Sequence, residues 1–279
     1  MGAPAPAAPT APVPPTSRWT VDRDRTRAVL SGTGGVVGLV ALWWVLAVTV
    51  FADKLVPTPP GVVQQWGEDG LGFYRDNFLA TVDEAVRGFA WGNGLALLLA
   101  SLVLLAPWTE KVITQVAVIS YCIPLVAITP ILYIVIGPPA AGEPSGTAVA
   151  LAAISVFFTT VVGAVLGFRS ADPATLDVVQ VYGGGRWQQL SRVQLVSAVP
   201  SILSALQIAA PAAFLGAILG EYIGGVDRGV GPALVNAQQS LDAERAWGMM
   251  IVCGLVAGAG YGLFALLARL VTPWARGTR

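Results

Sequence analysis

Six long stretches without a charged residue constrain this fold more than any other feature of the sequence. A helix needs about 20 consecutive apolar residues to cross the hydrocarbon core of a bilayer. The stretches show no period-2 alternation, which favours helices over barrel strands. The sequence therefore predicts an all-α, polytopic membrane protein with about six transmembrane helices, at residues 28–52, 88–109, 112–142, 144–168, 193–220 and 246–268.

The composition excludes several classes of protein. Only 11% of the 279 residues are charged, against roughly 25% in soluble domains, and buried helices of a soluble protein would keep a polar face. The net charge of zero gives no general attraction to nucleic acid. The chain has no histidine, and its two cysteines, Cys122 and Cys253, lie in different apolar stretches. We therefore expect two packing cysteines, with no metal, no cofactor and no catalytic site.

The basic residues are distributed asymmetrically between the two sides of the predicted membrane. With the N-terminus in the cytoplasm, 11 of the 16 fall inside, 4 fall outside and 1 is unassigned. Positive residues concentrate on the cytoplasmic side of membrane proteins. The sequence thus predicts a multi-pass protein with both termini in the cytoplasm.

The segments outside the apolar stretches have distinct compositions. Residues 1–17 are rich in proline and alanine and predict disorder, so we divide the chain into a disordered cytoplasmic tail, 1–27, and a transmembrane domain, 28–279. Residues 53–86 form the longest predicted external connection, and its aromatic residues among polar ones suggest a short helix at the membrane interface.

Four residues are candidates for a translocation path. Pro124 and Pro130 in the third stretch remove backbone hydrogen bonds and predict a kinked helix in the bundle interior. Asn93 in the second stretch stands between Gly92 and Gly94, which permit close packing. At the end of the fifth stretch, an acidic residue near the membrane surface is equally consistent with a path contact and with plain interfacial placement. The candidates are Asn93, Pro124, Pro130 and Glu221.

The polar connection between the fourth and fifth stretches carries a local folding pattern. Asp172 followed by Pro173 predicts a helix start, and Gly183 predicts its end. Apolar residues at helical spacing resume at Trp187. The sequence thus predicts a helix, a three-glycine turn and a second short helix at the cytoplasmic surface.

This connection resembles the EAA motif of ABC importer permeases, and we call residues 170–198 the EAA-like loop. The motif has an acidic residue, two alanines, a glycine, an aliphatic residue, a leucine and a proline at fixed spacing. The corresponding residues here are Asp177, Val178, Val179, Gly183, Val193, Leu195 and Val196. Most of the remaining chain resembles the sulfonate, taurine and nitrate branch of these permeases, including FLATVDEAVRGFAWGNGLALLLAS, IPLVAITPILYIVIG and GEYIGGVDRGVGPALVNAQQSLDAERAW.

The resemblance implies a type I ABC importer permease fold in a bacterial plasma membrane. It also implies two separate ATPase subunits, a second permease subunit that is the same chain or a paralogue, and an extracytoplasmic solute-binding protein. The EAA-like loop would couple the chain to the ATPase. The coupling residues would be Asp177, Tyr182, Gly183, Gly184, Arg186, Trp187, Val193 and Leu195.

Some features limit or complement this resemblance. Val178 and Val179 replace the small alanines of the motif, and a heterodimer with a more regular permease would explain this departure. The chain contains no phosphate-binding loop, since the glycine-rich run at 224–231 lacks the GK[ST] ending, so ATP hydrolysis is expected on separate subunits. The alternative function, a secondary transporter or channel not driven by ATP, would require ionisable residues within the spans.

Overall fold

The computed structural model describes residues 18–52, 56–140, 142–224 and 226–278, and every regular element within them is helical. Short 3-10 turns lie at Pro107–Thr109 and Pro273–Thr278, and a π-helical turn lies at Leu190–Gln194. The all-α prediction is confirmed. The α-helices are α1 (Arg18–Thr49), α2 (Pro59–Leu105), α3 (Glu110–Cys122), α4 (Leu125–Ile136), α5 (Gly146–Arg169), α6 (Pro173–Val181), α7 (Arg186–Gln189), α8 (Leu195–Ile223), α9 (Val230–Gln239) and α10 (Ala243–Val271).

Helices long and apolar enough to cross a membrane account for most of the described chain. A further crossing is formed by α3 and α4 if that bent pair counts as one. The prediction of about six spans is confirmed. The five continuous candidates are Gly32–Thr49, Pro59–Leu105, Gly146–Arg169, Arg186–Ile223 and Ala243–Val271.

The chain divides into two compact units, Met1–Pro59 and Pro60–Arg279. In the first unit α1 begins at Arg18, ahead of the apolar stretch that starts at residue 28. An apolar stretch marks the part of a helix that lipid can cover, and the helix itself can continue into water. Residues 18–27 of the expected tail belong to α1, and residues 1–17 lie outside the described residues.

The second helix is also longer than its apolar stretch. Residues 59–86, expected to lie mainly in an external connection, belong to α2, which is interrupted only at Gly70 (φ 72°, ψ 161°). The buried residues of this segment recur every three or four positions, so one face of the helix packs against the bundle. Mean hydropathy over a window does not register such a face. The buried residues include Phe78, Thr81, Glu84, Ala85 and Gly88.

The third apolar stretch forms two helices and not the single kinked helix that its prolines predict. Ile123 and Pro124 are extended, with ψ of 122° and 113°, and the axes of α3 and α4 differ by 96°. A residue that precedes a proline is driven out of the helical region, so Pro124 separates the helices. Pro130, by contrast, lies inside α4.

Helix α5 lies at the centre of the second unit and contacts its neighbours through small residues. A Cβ added at Gly88 of α2 would lie 2.3 Å from the Cβ of Ala152, and one at Gly220 of α8 would lie 2.3 Å from the Cα of Ala148. Such distances leave no room for a side chain. The backbones of α2 and α8 thus approach α5 as closely as small residues permit.

Contacts at the two ends of α5 tie it to the segments around α2 and α3. At its N-terminus, the backbone N–H of Ser145 donates to Oε1 of Glu84 at 2.5 Å. At its C-terminus, Arg169 forms an ion pair with Glu110, the first residue of α3. The 24 residues of α5 correspond to about 36 Å of helix at 1.5 Å per residue. The two contacts therefore lie at opposite ends of the bundle.

An ion pair joins the N-terminal part of α2 to the start of α10. Nε and Nη2 of Arg245 donate to Oδ1 of Asp69 at 2.9 and 2.6 Å, and only 2% of the Asp69 side chain is exposed. Gln65 and Tyr74 also donate to this carboxylate, at 2.9 and 3.1 Å. The carboxylate is thus enclosed by donors that depend on its charge.

We expect Arg245→Ala to lower the stability of the purified protein by about 2 kcal/mol, because it leaves a buried carboxylate without its cation. The measurement is the apparent melting temperature in detergent. The matched control is Arg75→Ala, since Arg75 pairs with Asp76 on the same helix while both side chains are exposed, and such pairs contribute little. Equal shifts for the two variants would contradict this assignment.

Candidate functional site

The EAA-like loop begins with the helix start that its sequence predicts. Oδ1 of Asp172 accepts the backbone N–H of Ala174 at 3.1 Å, and Pro173 is the first residue of α6. An acidic N-cap satisfies a free backbone donor, and proline at the next position needs none. The predicted start of this helix is confirmed.

The three glycines that follow α6 have different roles. Gly183 has a φ of +79° and donates its N–H to the Gln180 carbonyl oxygen at 3.0 Å, while Gly184 donates to Val179 at 2.8 Å. This pair of bonds is the Schellman arrangement that ends a helix. A Cβ at Gly184 would lie 2.5 Å from Cγ1 of Val179, whereas a Cβ at Gly183 or Gly185 would have no neighbouring atom within 4 Å. Gly183 is therefore required for its conformation and Gly184 for packing.

The second helix of the loop differs from the prediction. It begins at Arg186, one residue before Trp187, and continues through the π-helical turn Leu190–Gln194 directly into α8. Leu190 is buried, and Nε2 of Gln189 donates to the Leu176 carbonyl oxygen of α6 at 3.1 Å. The loop is thus held by its own hydrogen bonds and is continuous with a membrane helix.

Most of the predicted coupling residues are exposed. None of the residues of α6 is buried, and the side chains of Tyr182 and Trp187 are 87% and 72% exposed. Val193 is an exception, because it is buried and holds the π-helical turn against the bundle. Gly184 is half-buried. The exposed candidates are Asp177, Tyr182, Gly183, Arg186, Trp187 and Leu195.

The predicted path residues occupy different parts of the second unit. Asn93 is buried between α2 and α5, where its Nδ2 donates to the Phe89 carbonyl oxygen at 2.7 Å and its Oδ1 accepts from Thr160 at 2.5 Å. In this chain it joins α2 to α5. Pro124 and Pro130 are exposed on the bent pair.

The fourth path candidate, Glu221, is 2% exposed at the end of α8, so it is not an ordinary interfacial residue. It lies at the N-terminus of α9, which lacks a capping side chain of its own. Backbone donors there bind side chains of α2 and α8: Gly229 to Asn77 at 3.1 Å, Val230 to Thr81 at 2.9 Å, and Gly231 to Glu221 at 2.7 Å. Glu221 thus helps to cap α9 from another helix.

Glu84 of α2 is a buried acidic residue that the sequence argument passed over. It is 3% exposed, and its carboxyl group lies beside that of Glu221. An acidic cavity of about 730 Å³ opens beside it, with Asp76, Asp83 and Asp227 in its lining. The available signal was a stripe of small residues four apart, which extends the buried face of α2 backwards toward Glu84: Gly88, Gly92, Ala96 and Ala100.

Comparison with known proteins places these features in context. Residues 92–277 match the family described as "Binding-protein-dependent transport system inner membrane component". The chain is 28% identical to the riboflavin transport system permease protein RibX of Chloroflexus aurantiacus, over 85% of this chain and 87% of the relative. It is 25% identical to the putative aliphatic sulfonates transport permease protein SsuC of Bacillus subtilis, over 85% and 84%. It is 24% identical to the formylaminopyrimidine transport permease protein ThiX of Halalkalibacterium halodurans, over 85% and 92%.

Proposed function

The chain belongs to the family of binding-protein-dependent transport system inner membrane components, which residues 92–277 match, and we propose that its EAA-like loop is the surface on which the transport ATPase binds. The chain is a membrane-spanning permease subunit of an ABC importer. Members of this family work with ATPases and binding proteins in general. The proposal therefore concerns which residues of this chain form the contact.

The exposed apolar side chains of the loop carry this proposal. Tyr182 and Trp187 flank the glycine turn and are mostly exposed. Large aromatic residues exposed to water are a common mark of interface anchors. Val178 and Val181 of α6 are exposed beside them. A polar connection between two membrane helices would have no reason to display four such side chains together. A protein partner that covers them accounts for the pattern.

The remaining features of the assembly follow from the same proposal. Two ATPase subunits would bind the loops of two permease subunits, and an external binding protein would deliver the solute to the opposite face. The loop and both termini would then face the cytoplasm, in agreement with the distribution of basic residues. Among the path candidates, Pro124 and Pro130 keep exposed positions that could line a path with a second subunit, whereas Asn93 and Glu221 act by holding helices.

The solute is inferred from the relatives at the level of class. Their names specify riboflavin, aliphatic sulfonates and formylaminopyrimidine, which are all small organic molecules. We infer that this chain carries a small organic solute as well. Uptake assays would accordingly begin with these three compounds.

A single cysteine at Gln188 tests the position and the contact of the loop together. In a variant with Cys122 and Cys253 replaced by serine, Gln188→Cys should react with a membrane-impermeant maleimide in inverted vesicles and not in intact spheroplasts. Gln188 is exposed, so reagent access is not limited by folding. Co-expression of the ATPase should protect it, because the proposed contact covers this surface.

The matched control is Asp227→Cys in the same background, because Asp227 is exposed at the opposite end of the second unit. It should react in spheroplasts and should gain no protection from the ATPase. Labelling of Gln188→Cys from the outside would overturn the orientation. Unchanged labelling in the presence of a bound ATPase would overturn the docking surface alone.

A further inference from the structure

Glu84 and Glu221 bring two carboxyl groups together where α2, α5, α8 and α9 meet. One oxygen of each group accepts a backbone N–H: Ser145 donates to Glu84 at 2.5 Å and Gly231 donates to Glu221 at 2.7 Å. Ser145 is the N-cap residue of α5 and Gly231 lies in the first turn of α9. Each carboxyl group is thus held at the N-terminus of a helix, where backbone donors favour an acceptor.

The second oxygen of each group is buried and has no hydrogen-bond partner. These atoms are Oε2 of Glu84 and Oε1 of Glu221, on residues that are 3% and 2% exposed. Two ionised carboxylates have acceptors only and cannot form a hydrogen bond with each other. Burying both charges without a counter-charge would also be costly. The geometry therefore requires something positive between them.

The groups around the pair do not supply that charge. Arg87 forms an exposed ion pair with Asp83 at 2.8 Å, and both residues act on Glu84 only from a distance. Cys253 of α10 is the nearby thiol. Thr81 lies near Glu221, but its hydroxyl is neutral and supplies no charge. Among the described residues no group of three acidic, cysteine or histidine side chains could hold a metal ion.

We propose that Glu84 and Glu221 share one proton, so that one carboxylic acid donates a hydrogen bond to the carboxylate of the other. The proton then satisfies both remaining oxygens at once and reduces the buried charge of the pair from two to one. Through it, α2 and α8 hold the N-termini of α5 and α9 in one hydrogen-bonded cluster. The site is a proton-binding site that is separate from the proposed ATPase contact.

Glutamine substitutions test this proposal, because an amide imitates the protonated acid. In Glu84→Gln the amide oxygen accepts from Ser145 and the NH₂ group donates to Glu221, and Glu221→Gln works in the same way toward Gly231. Either single variant should therefore keep its apparent melting temperature within about 3 °C of the parent chain in detergent. The double variant places two NH₂ groups against each other and should lose more than the sum of the singles.

Glu84→Ala is the matched loss-of-contact control and should lower the apparent melting temperature by more than about 5 °C. Infrared difference spectra give a readout that packing alone would not move. The carbonyl band of one protonated carboxylic acid should disappear in either glutamine variant. If both single glutamine variants are as unstable as Glu84→Ala, the proposal is wrong. It is equally wrong if the acid band is absent from the parent, or if added Na⁺ or Ca²⁺ stabilises the parent and not the glutamine variants, which would indicate a cation site.

Discussion

Gly183→Val should sharply reduce co-purification of the ATPase and solute uptake while leaving membrane insertion unchanged. A β-branched residue at the φ of +79° found here is strained by about 1–2 kcal/mol. The strain would open the Schellman arrangement that ends α6, and the new side chain would stand on the proposed contact surface. If the strain is expressed fully in docking, affinity falls about tenfold. Affinity capture of the ATPase and uptake in cells measure the two effects.

Two variants distinguish the effect of backbone strain at this turn from the effect of a side chain on the contact surface. Asparagine tolerates positive φ better than other side chains, so Gly183→Asn should retain most of the coupling. Gly185→Ala should be nearly neutral, because Gly185 has a φ of −78° and open space around it. Normal capture and normal uptake in well-expressed Gly183→Val would show that this turn has no part in coupling.

Gly92→Val should prevent the second unit from packing, and this is the largest effect on folding that we expect. A Cβ at Gly92 would lie 2.4 Å from the Ala153 carbonyl oxygen and 2.5 Å from Cγ2 of Val156. Backbone atoms of α5 cannot move away as a flexible side chain could. Overpacking of this kind costs about 3 kcal/mol, which is a large fraction of the stability of most domains.

Gly94→Val is the control for this substitution. Gly94 is on the same helix, two residues away, and a Cβ there meets nothing within 4 Å. The two variants lose the same glycine and gain the same side chain, so differences in helix propensity cancel. Fluorescence-detected size-exclusion chromatography after heating should show early loss of the monodisperse peak for Gly92→Val only. Similar heating curves for both would contradict the close contact between α2 and α5.

Local chemistry made the EAA-like loop predictable from the sequence. Asp172 and Pro173 specify a helix start through groups within three residues, and Gly183 specifies its end through its own φ. The membrane helices followed from the length of their apolar stretches for a similar reason, because each helix satisfies its own backbone in lipid.

Other features depended on which helices meet. Gly92 and Gly94 have the same chemistry and differ only because α5 lies on one side of α2. Glu84 looked like part of a polar connection, since its burial comes from α5 and α8. Pro124 and Pro130 both predicted kinks, but whether a proline bends a helix or divides it depends on the packing available to each half.

The contacts at the two ends of α5 also show how the chain passes from α2 to α5. Glu84 meets Ser145 at one end of the bundle, and Glu110 meets Arg169 at the other. Helices α2 and α5 therefore run in the same direction, and the bent pair between them must return across the whole layer. Neither α3 nor α4 is long enough to span a membrane by itself. Together they form one crossing, so the chain is on opposite sides before α3 and after α4. A re-entrant pair would instead place the EAA-like loop on the wrong face for an ATPase.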